Sequence, residues 1–180
     1  SADPQSRLHP QAAMIVRTRR LSASWTGVNL PDMSRYRAFH GRQAVASGAL
    51  SARRLQKDFR ALYRNVYVPR QSEVDARLRA HAAWLWAHGD CTLVGRSAAA
   101  LHGAKWIDPE APAELHRVDR HAPNGIVIRS YALDDDETCL VDGMRTTTPA
   151  RTAFDLGRLL PLADAVIHLD ALARATSVDA

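Results

Sequence analysis

Residues 41–69, GRQAVASGALSARRLQKDFRALYRNVYVP, read as helix, turn, helix and strand, and that order decides the fold. Gly41 to Ser47 suits a short helix with Ala44 and Val45 turned inward. Gly48 stops it, since glycine takes the left-handed backbone that ends helices at no steric cost. Ser51 then serves as an N-cap, its hydroxyl accepting a bond from a free first-turn N–H. The helix it opens, ARRLQKDFRAL, sets Leu55, Phe59 and Leu62 on one stripe at i, i+4 and i+7. Arg53, Arg54, Lys57 and Arg60 take its other faces. Arg64 to Val68 reads as a β-branched and aromatic strand ended by Pro69.

Two helices about a glycine turn, followed by a strand, make a helix-turn-helix with a rudimentary wing. In that arrangement the second helix enters the major groove with its N-terminal residues toward base edges. Arg53 and Arg54 would then lie nearest the bases, and Lys57, Arg60 and Arg64 nearest the phosphates. With the cap, the expected DNA-binding set is Ser51, Arg53, Arg54, Lys57, Arg60 and Arg64.

The charge balance points the same way. Residues 1–72 hold 13 Arg and Lys against three acids, a net +10, whereas residues 73–180 hold 11 against 16, a net −5. A basic front on an acidic body suits a polyanion-binding module joined to a second domain; a solvated surface with a basic tail gives the same split. Of the 24 bases 22 are Arg, which favours bidentate phosphate contacts, although a GC-rich genome produces the same bias.

The 180 residues suit one ordinary domain or two small ones, and 46% hydrophobic with 24% charged is a globular composition. No run of 18 apolar residues exists to span a bilayer, and the start SADPQSRLHP lacks the apolar core of a secretory signal. Cys91 and Cys139, with no CxxC near either, read as buried thiols of a reducing cytosol rather than a disulfide. Residues 1–38 read as a basic, flexible tail and 177–180 as a second tail. Met33 sits immediately before the patterned part, so a natural start there is expected.

Beyond the first unit, VDARLRAHAAWLWAHG reads as a largely buried helix stopped by Gly89, and Cys91 to Val94 as a strand. RSAAALHG is a small helix capped at Ser97; Ala113 to His116 and Gly125 to Tyr131 are strands. Asp134 to Glu137 reads as a solvated acidic loop. Thr138 to Val141 and Met144 to Thr146 are strands about Gly143. Thr148 caps a helix with Pro149 at its first position, where the missing N–H costs nothing. Pro161 opens the last helix, with Leu162, Ala165, Val166, Leu169 and Leu172 expected on its buried face. Trp84, Trp86 and Trp106 are expected in the core.

Enzyme readings fail on particulars. Gly95-Arg96-Ser97-Ala98-Ala99 begins like a nucleophile elbow, but Ala99 replaces its second glycine. No HExxH, no Cys/His cluster and no phosphate-binding Gly-rich loop occurs, so no cofactor, metal or catalytic residue is expected.

Three stretches in order carry a resemblance: RQAVASGALSARRLQKDFRALYRNVYVPR, VGRSAAALHGAKWI and VDGMRTTTPARTAFDLGRLLPL. Over about residues 39–176 the chain resembles AbiEi-type antitoxins of actinobacteria, regulators of type IV toxin–antitoxin systems. The resemblance implies a winged-helix N-terminal domain that binds DNA, ahead of a small α/β domain with no proven role. Ser97, His102, Thr148, Arg151 and Asp155 of the shared motifs would then be structural: a cap, a buried polar contact, an ion pair. Longer relatives continue into a Vsr-like nuclease domain with an EYDG-like stretch, which does not occur in this sequence.

The expected fold is thus α/β (α+β), with a winged helix-turn-helix over 39–72 and a mixed α/β domain over 73–176. The expected function is that of a cytoplasmic, antitoxin-like transcriptional regulator binding double-stranded DNA, with no membrane partner and a homodimer as one possible assembly. Two alternatives stay open: the DNA-targeting part of a Vsr-like endonuclease, and an interaction module gripping a cognate toxin.

Overall fold

The computed structural model describes residues 38–176. The expected tails over 1–38 and 177–180, and the expected start at Met33, lie outside the described residues except for Ala38, which is buried.

The first unit runs β1 (Phe39–His40), α1 (Gly41–Ala46), α2 (Ala52–Asp58), β2 (Phe59–Tyr63) and β3 (Val66–Pro69). The strands form an antiparallel sheet in the order β1-β3-β2. Gly48, at φ +75°, ends the first helix, and the Ser51 hydroxyl accepts from Arg54 N–H at 3.2 Å at the start of the second.

The second helix stops four residues short of the expected Leu62. Phe59 is already extended, with φ −125° and ψ 156°. The run from Phe59 to Pro69 carries β-favouring aromatic and branched residues on both sides of Arg64-Asn65. Asn65 takes φ +63°, as a tight hairpin turn requires. Pairing with β3 therefore outweighs helical periodicity, and Arg64 moves from the expected strand into the turn. Arg70 closes the helix from across the sheet, donating to the free carbonyls of Lys57 at 2.9 Å and Gln56 at 2.8 Å.

The rest of the chain forms α3 (Ala76–Trp86), β4 (Thr92–Leu93), α4 (Gly95–Leu101), β5 (Ala113–His116), β6 (Ile126–Arg129), β7 (Thr138–Val141), β8 (Met144–Thr147), α5 (Pro149–Leu159) and α6 (Leu162–Thr176). Its sheet, ordered β6-β5-β4-β8-β7, is mixed: β5/β6 and β4/β8 are parallel, β4/β5 and β7/β8 antiparallel. The architecture is α+β. Asp75 caps α3 by accepting from Leu78 N–H at 2.7 Å, and Thr148 caps α5 ahead of Pro149.

One core cluster crosses residue 72. Tyr63, Val66 and Val68 pack with Leu78, Ala80, Leu93, Leu115 and Met144. The Tyr63 hydroxyl also donates to the Gly125 carbonyl at 3.1 Å. A second cluster gathers Ala99, Leu156 and Leu172 under α4, α5 and α6.

Three further expectations are corrected. Trp106 is 81% exposed with φ +66°, since the loop after Gly103 turns it outward while Ile107 fills the core below. Leu162 and Val166 are also exposed, because α6 buries the face carrying Ala165, Leu169 and Leu172. Ser97 is not a cap. The helix begins two residues earlier at Gly95, and the buried Ser97 hydroxyl accepts from Glu114 N–H at 2.8 Å. The acidic stretch Asp134 to Glu137 is solvent-facing as expected, and a 3-10 turn with a capping box gives it a defined shape.

Candidate nucleic-acid interface

Only Leu55 of α2 is buried, so Ala52, Arg53, Arg54, Gln56, Lys57 and Asp58 all face outward. Ser51 fixes the start of this helix, and the short α1 precedes it through the turn at Gly48. Between residues 38 and 72 the single acid is Asp58.

The structure divides the expected site residues by what their side chains do. Arg54 is drawn back along the helix to Asp58, Nε to Oδ2 at 3.3 Å. Arg60 lies on β2 and donates to the Ser72 carbonyl at 3.1 Å, so it ties the hairpin to the chain leaving it. Arg53, Lys57 and Arg64 are exposed and make no side-chain hydrogen bond or ion pair among the described residues.

Arg42, at the start of α1, joins this unpaired set although the sequence pattern did not single it out. Its backbone N–H donates to Asn65 Oδ1 at 2.8 Å, and Gly41 N–H donates to the Asn65 carbonyl at 3.0 Å. The hairpin turn is thereby fastened to the first helix. An open groove of about 520 Å³ lies there, with Gly41, Val45, Leu55 and Tyr67 below and Arg42 and Arg64 beside it. The only hint in the sequence was the asparagine immediately before the VYV strand.

The shared motifs of the second sheet are engaged internally. Asp155 is fully buried and accepts from the Tyr131 hydroxyl at 2.7 Å, Arg151 Nε at 3.3 Å and Arg158 Nε at 3.0 Å. Arg151 also pairs with Glu137. A backbone bond from Asp134 and the Arg151 guanidinium hold the Glu137 carboxyl below its usual range. Burial, then the bond to Asp155, raise the Tyr131 phenol. His102 Nε2 lies 2.8 Å from the Thr147 carbonyl.

A second buried carboxylate, Glu114, was not legible from spacing. Arg96 reaches it at 2.9 Å and Arg129 at 2.9 Å from another strand. Neither cluster leaves a free nucleophile beside a base. Cys91 and Cys139 are free thiols, and burial pushes Cys91 up to about 12. Among the described residues no three His, Cys, Asp or Glu side chains gather as metal ligands, and no helix is long and apolar enough to cross a membrane.

Residues 91–180 match the family model described as the AbiEi antitoxin C-terminal domain. No curated protein matches the chain.

Proposed function

Because the chain belongs to the AbiEi antitoxin family through residues 91–180, we propose that it is a cytoplasmic transcriptional regulator of a toxin–antitoxin pair. It binds double-stranded DNA through a winged helix-turn-helix over residues 39–72. Residues 73–176 form the antitoxin domain that supports this module, and the chain has no catalytic step of its own.

One observation carries the DNA-binding reading. Arg42, Arg53, Lys57 and Arg64 stand exposed on two helices and a hairpin turn without a carboxylate partner among the described residues. Unneutralised like charges close together repel one another on a free surface, whereas a duplex supplies phosphates at regular spacing. The strand order β1-β3-β2 beside the two helices supports the winged form. Operators are commonly read by two-fold dimers, and a homodimer is the expected DNA-bound state.

The test is fluorescence anisotropy with a duplex from upstream of the gene and a scrambled duplex, across a salt series. Four to six phosphate contacts give log K a slope of roughly −4 to −5 against log salt. Preference for the upstream duplex that persists at higher salt supports a sequence-reading regulator. Equal, weak binding to both duplexes that collapses with salt overturns it.

A second reading is favoured by the exposed Leu162, Val166 and Ile167 of α6 and the acidic balance of residues 73–180. This surface would contact a basic partner such as the cognate toxin. Co-purification with the toxin, lost on Val166→Arg, is its check.

A further inference from the structure

We propose that Arg42 and Arg64 together form a two-guanidinium clamp on the phosphate backbone of a duplex, with Asn65 as the positioning residue that holds them side by side. This rests on the DNA-binding reading above and specifies how the first helix and the hairpin turn take part in it.

The clamp is built from backbone. Asn65 receives two bonds from consecutive residues of α1: its carbonyl from Gly41 N–H at 3.0 Å and its Oδ1 from Arg42 N–H at 2.8 Å. Its φ of +63° is the left-handed conformation, which asparagine tolerates better than most residues. Gly41 has no side chain because there is no room for one: a Cβ there would lie 2.4 Å from the Tyr67 ring. That close approach seats the start of α1 against β3. Arg42 is itself one of the fastened residues and Arg64 immediately precedes Asn65, and both border the same open groove.

The electrostatics call for an anion. Neither guanidinium has a carboxylate or carbonyl partner among the described residues, and both are exposed. The neighbouring arginines behave differently: Arg54 folds onto Asp58, Arg60 onto the Ser72 carbonyl and Arg70 onto the carbonyls of Lys57 and Gln56. Holding two like charges near one another costs free energy unless an anion neutralises them. The planar guanidinium fork matches phosphate oxygens two at a time. Arg42 and Arg64 also come from elements outside α2, so the clamp would fix the module on the backbone while α2 faces the groove.

The experiment is anisotropy on the full chain with the gene's upstream duplex over a salt series. It compares wild type, Arg42→Ala/Arg64→Ala, Asn65→Gly, and the triple variant. Each lost phosphate contact flattens the salt slope by about one, so the double variant is expected to lose about two. Asn65→Gly keeps the left-handed backbone and the carbonyl but removes Oδ1. It should leave the thermal melt nearly unchanged and weaken binding about three- to tenfold through lost pre-organisation. That weakening should vanish in the Arg42→Ala/Arg64→Ala background, as coupled positions require. A double variant with the wild-type slope overturns the clamp while leaving DNA binding intact. An Asn65→Gly loss of equal size in both backgrounds overturns the positioning role. A wild-type chain that binds no duplex at low salt overturns both the clamp and the DNA-binding reading.

Discussion

The Asp155 carboxyl has no exposed surface and faces two arginines and a tyrosine. The guanidiniums of Arg151 and Arg158 lie over the Tyr131 ring at 4.9 and 4.5 Å, so each is held by a ring face as well as by the carboxylate. An arrangement of this kind is costly to break from one side, because the remaining charges stay where water reaches them poorly. Asp155→Ala is therefore expected to cost ~3–5 kcal/mol in a urea titration. A loss below about 1 kcal/mol would show that the arginines find water instead. This residue also shows how far motif reading carries. Thr148 is a cap, as its place before Pro149 lets one read, whereas the contact of His102 with the Thr147 carbonyl and the pairing of Arg151 with Asp155 were implied only in kind by the resemblance. Tyr131 and Glu137 complete the network from 24 and 18 residues before Asp155, a distance no local pattern spans.

Between elements, the contact of β1 with the turn that follows α3 contains a titratable pair. The His40 ring stacks on His88 with centroids 5.1 Å apart and planes 13° from parallel. Burial, then the neighbouring His88, lower the His40 imidazole below its ordinary 6.5, against a backbone bond at Asn65 that raises it. The folded chain thus resists a proton that the unfolded chain accepts near pH 6.5. Stability should be full above that pH and decline as pH falls from 6.5 toward the lower folded value. Melts between pH 7.5 and 5 should show the decline, and His40→Phe should reduce it; a wild-type decline retained in full by that variant would place the proton elsewhere. The same scale explains the misjudged helix. Leu55, Phe59 and Leu62 satisfy a helical stripe, but only Leu55 remains on α2, while Phe59 meets Phe39 edge-on at 5.0 Å from the strand. Residues 59–63 fit either period taken alone, and the pairing with β3 that decides between them is a relation between segments. Of the candidate interface, Ser51, Arg53 and Lys57 were legible because a cap and an exposed helix face are local properties. Arg42 was not, because its place depends on the fold of Asn65.

For the whole molecule, the continuous core makes residues 38–72 and 73–176 thermodynamically interdependent. Fewer than ~40 residues seldom hold a fold unaided, and the first sheet lies against α3, whose other contacts reach β4 and β5. Tyr63 spans the junction twice, with its buried ring in the common cluster and its hydroxyl on the Gly125 carbonyl. A single unfolding transition is therefore expected, with far-ultraviolet dichroism and the fluorescence of half-buried Trp84 and Trp86 falling together. Tyr63→Phe removes the hydroxyl bond and keeps the ring, so both probes should shift equally by ~0.5–1.5 kcal/mol. If the variant instead separates the two curves, the unit over residues 38–72 has its own stability. The basic and acidic halves would then be joined by their linker alone. Coincident curves mean that a change felt in the antitoxin domain alters the population of the folded N-terminal unit directly, without a separate hinge between them.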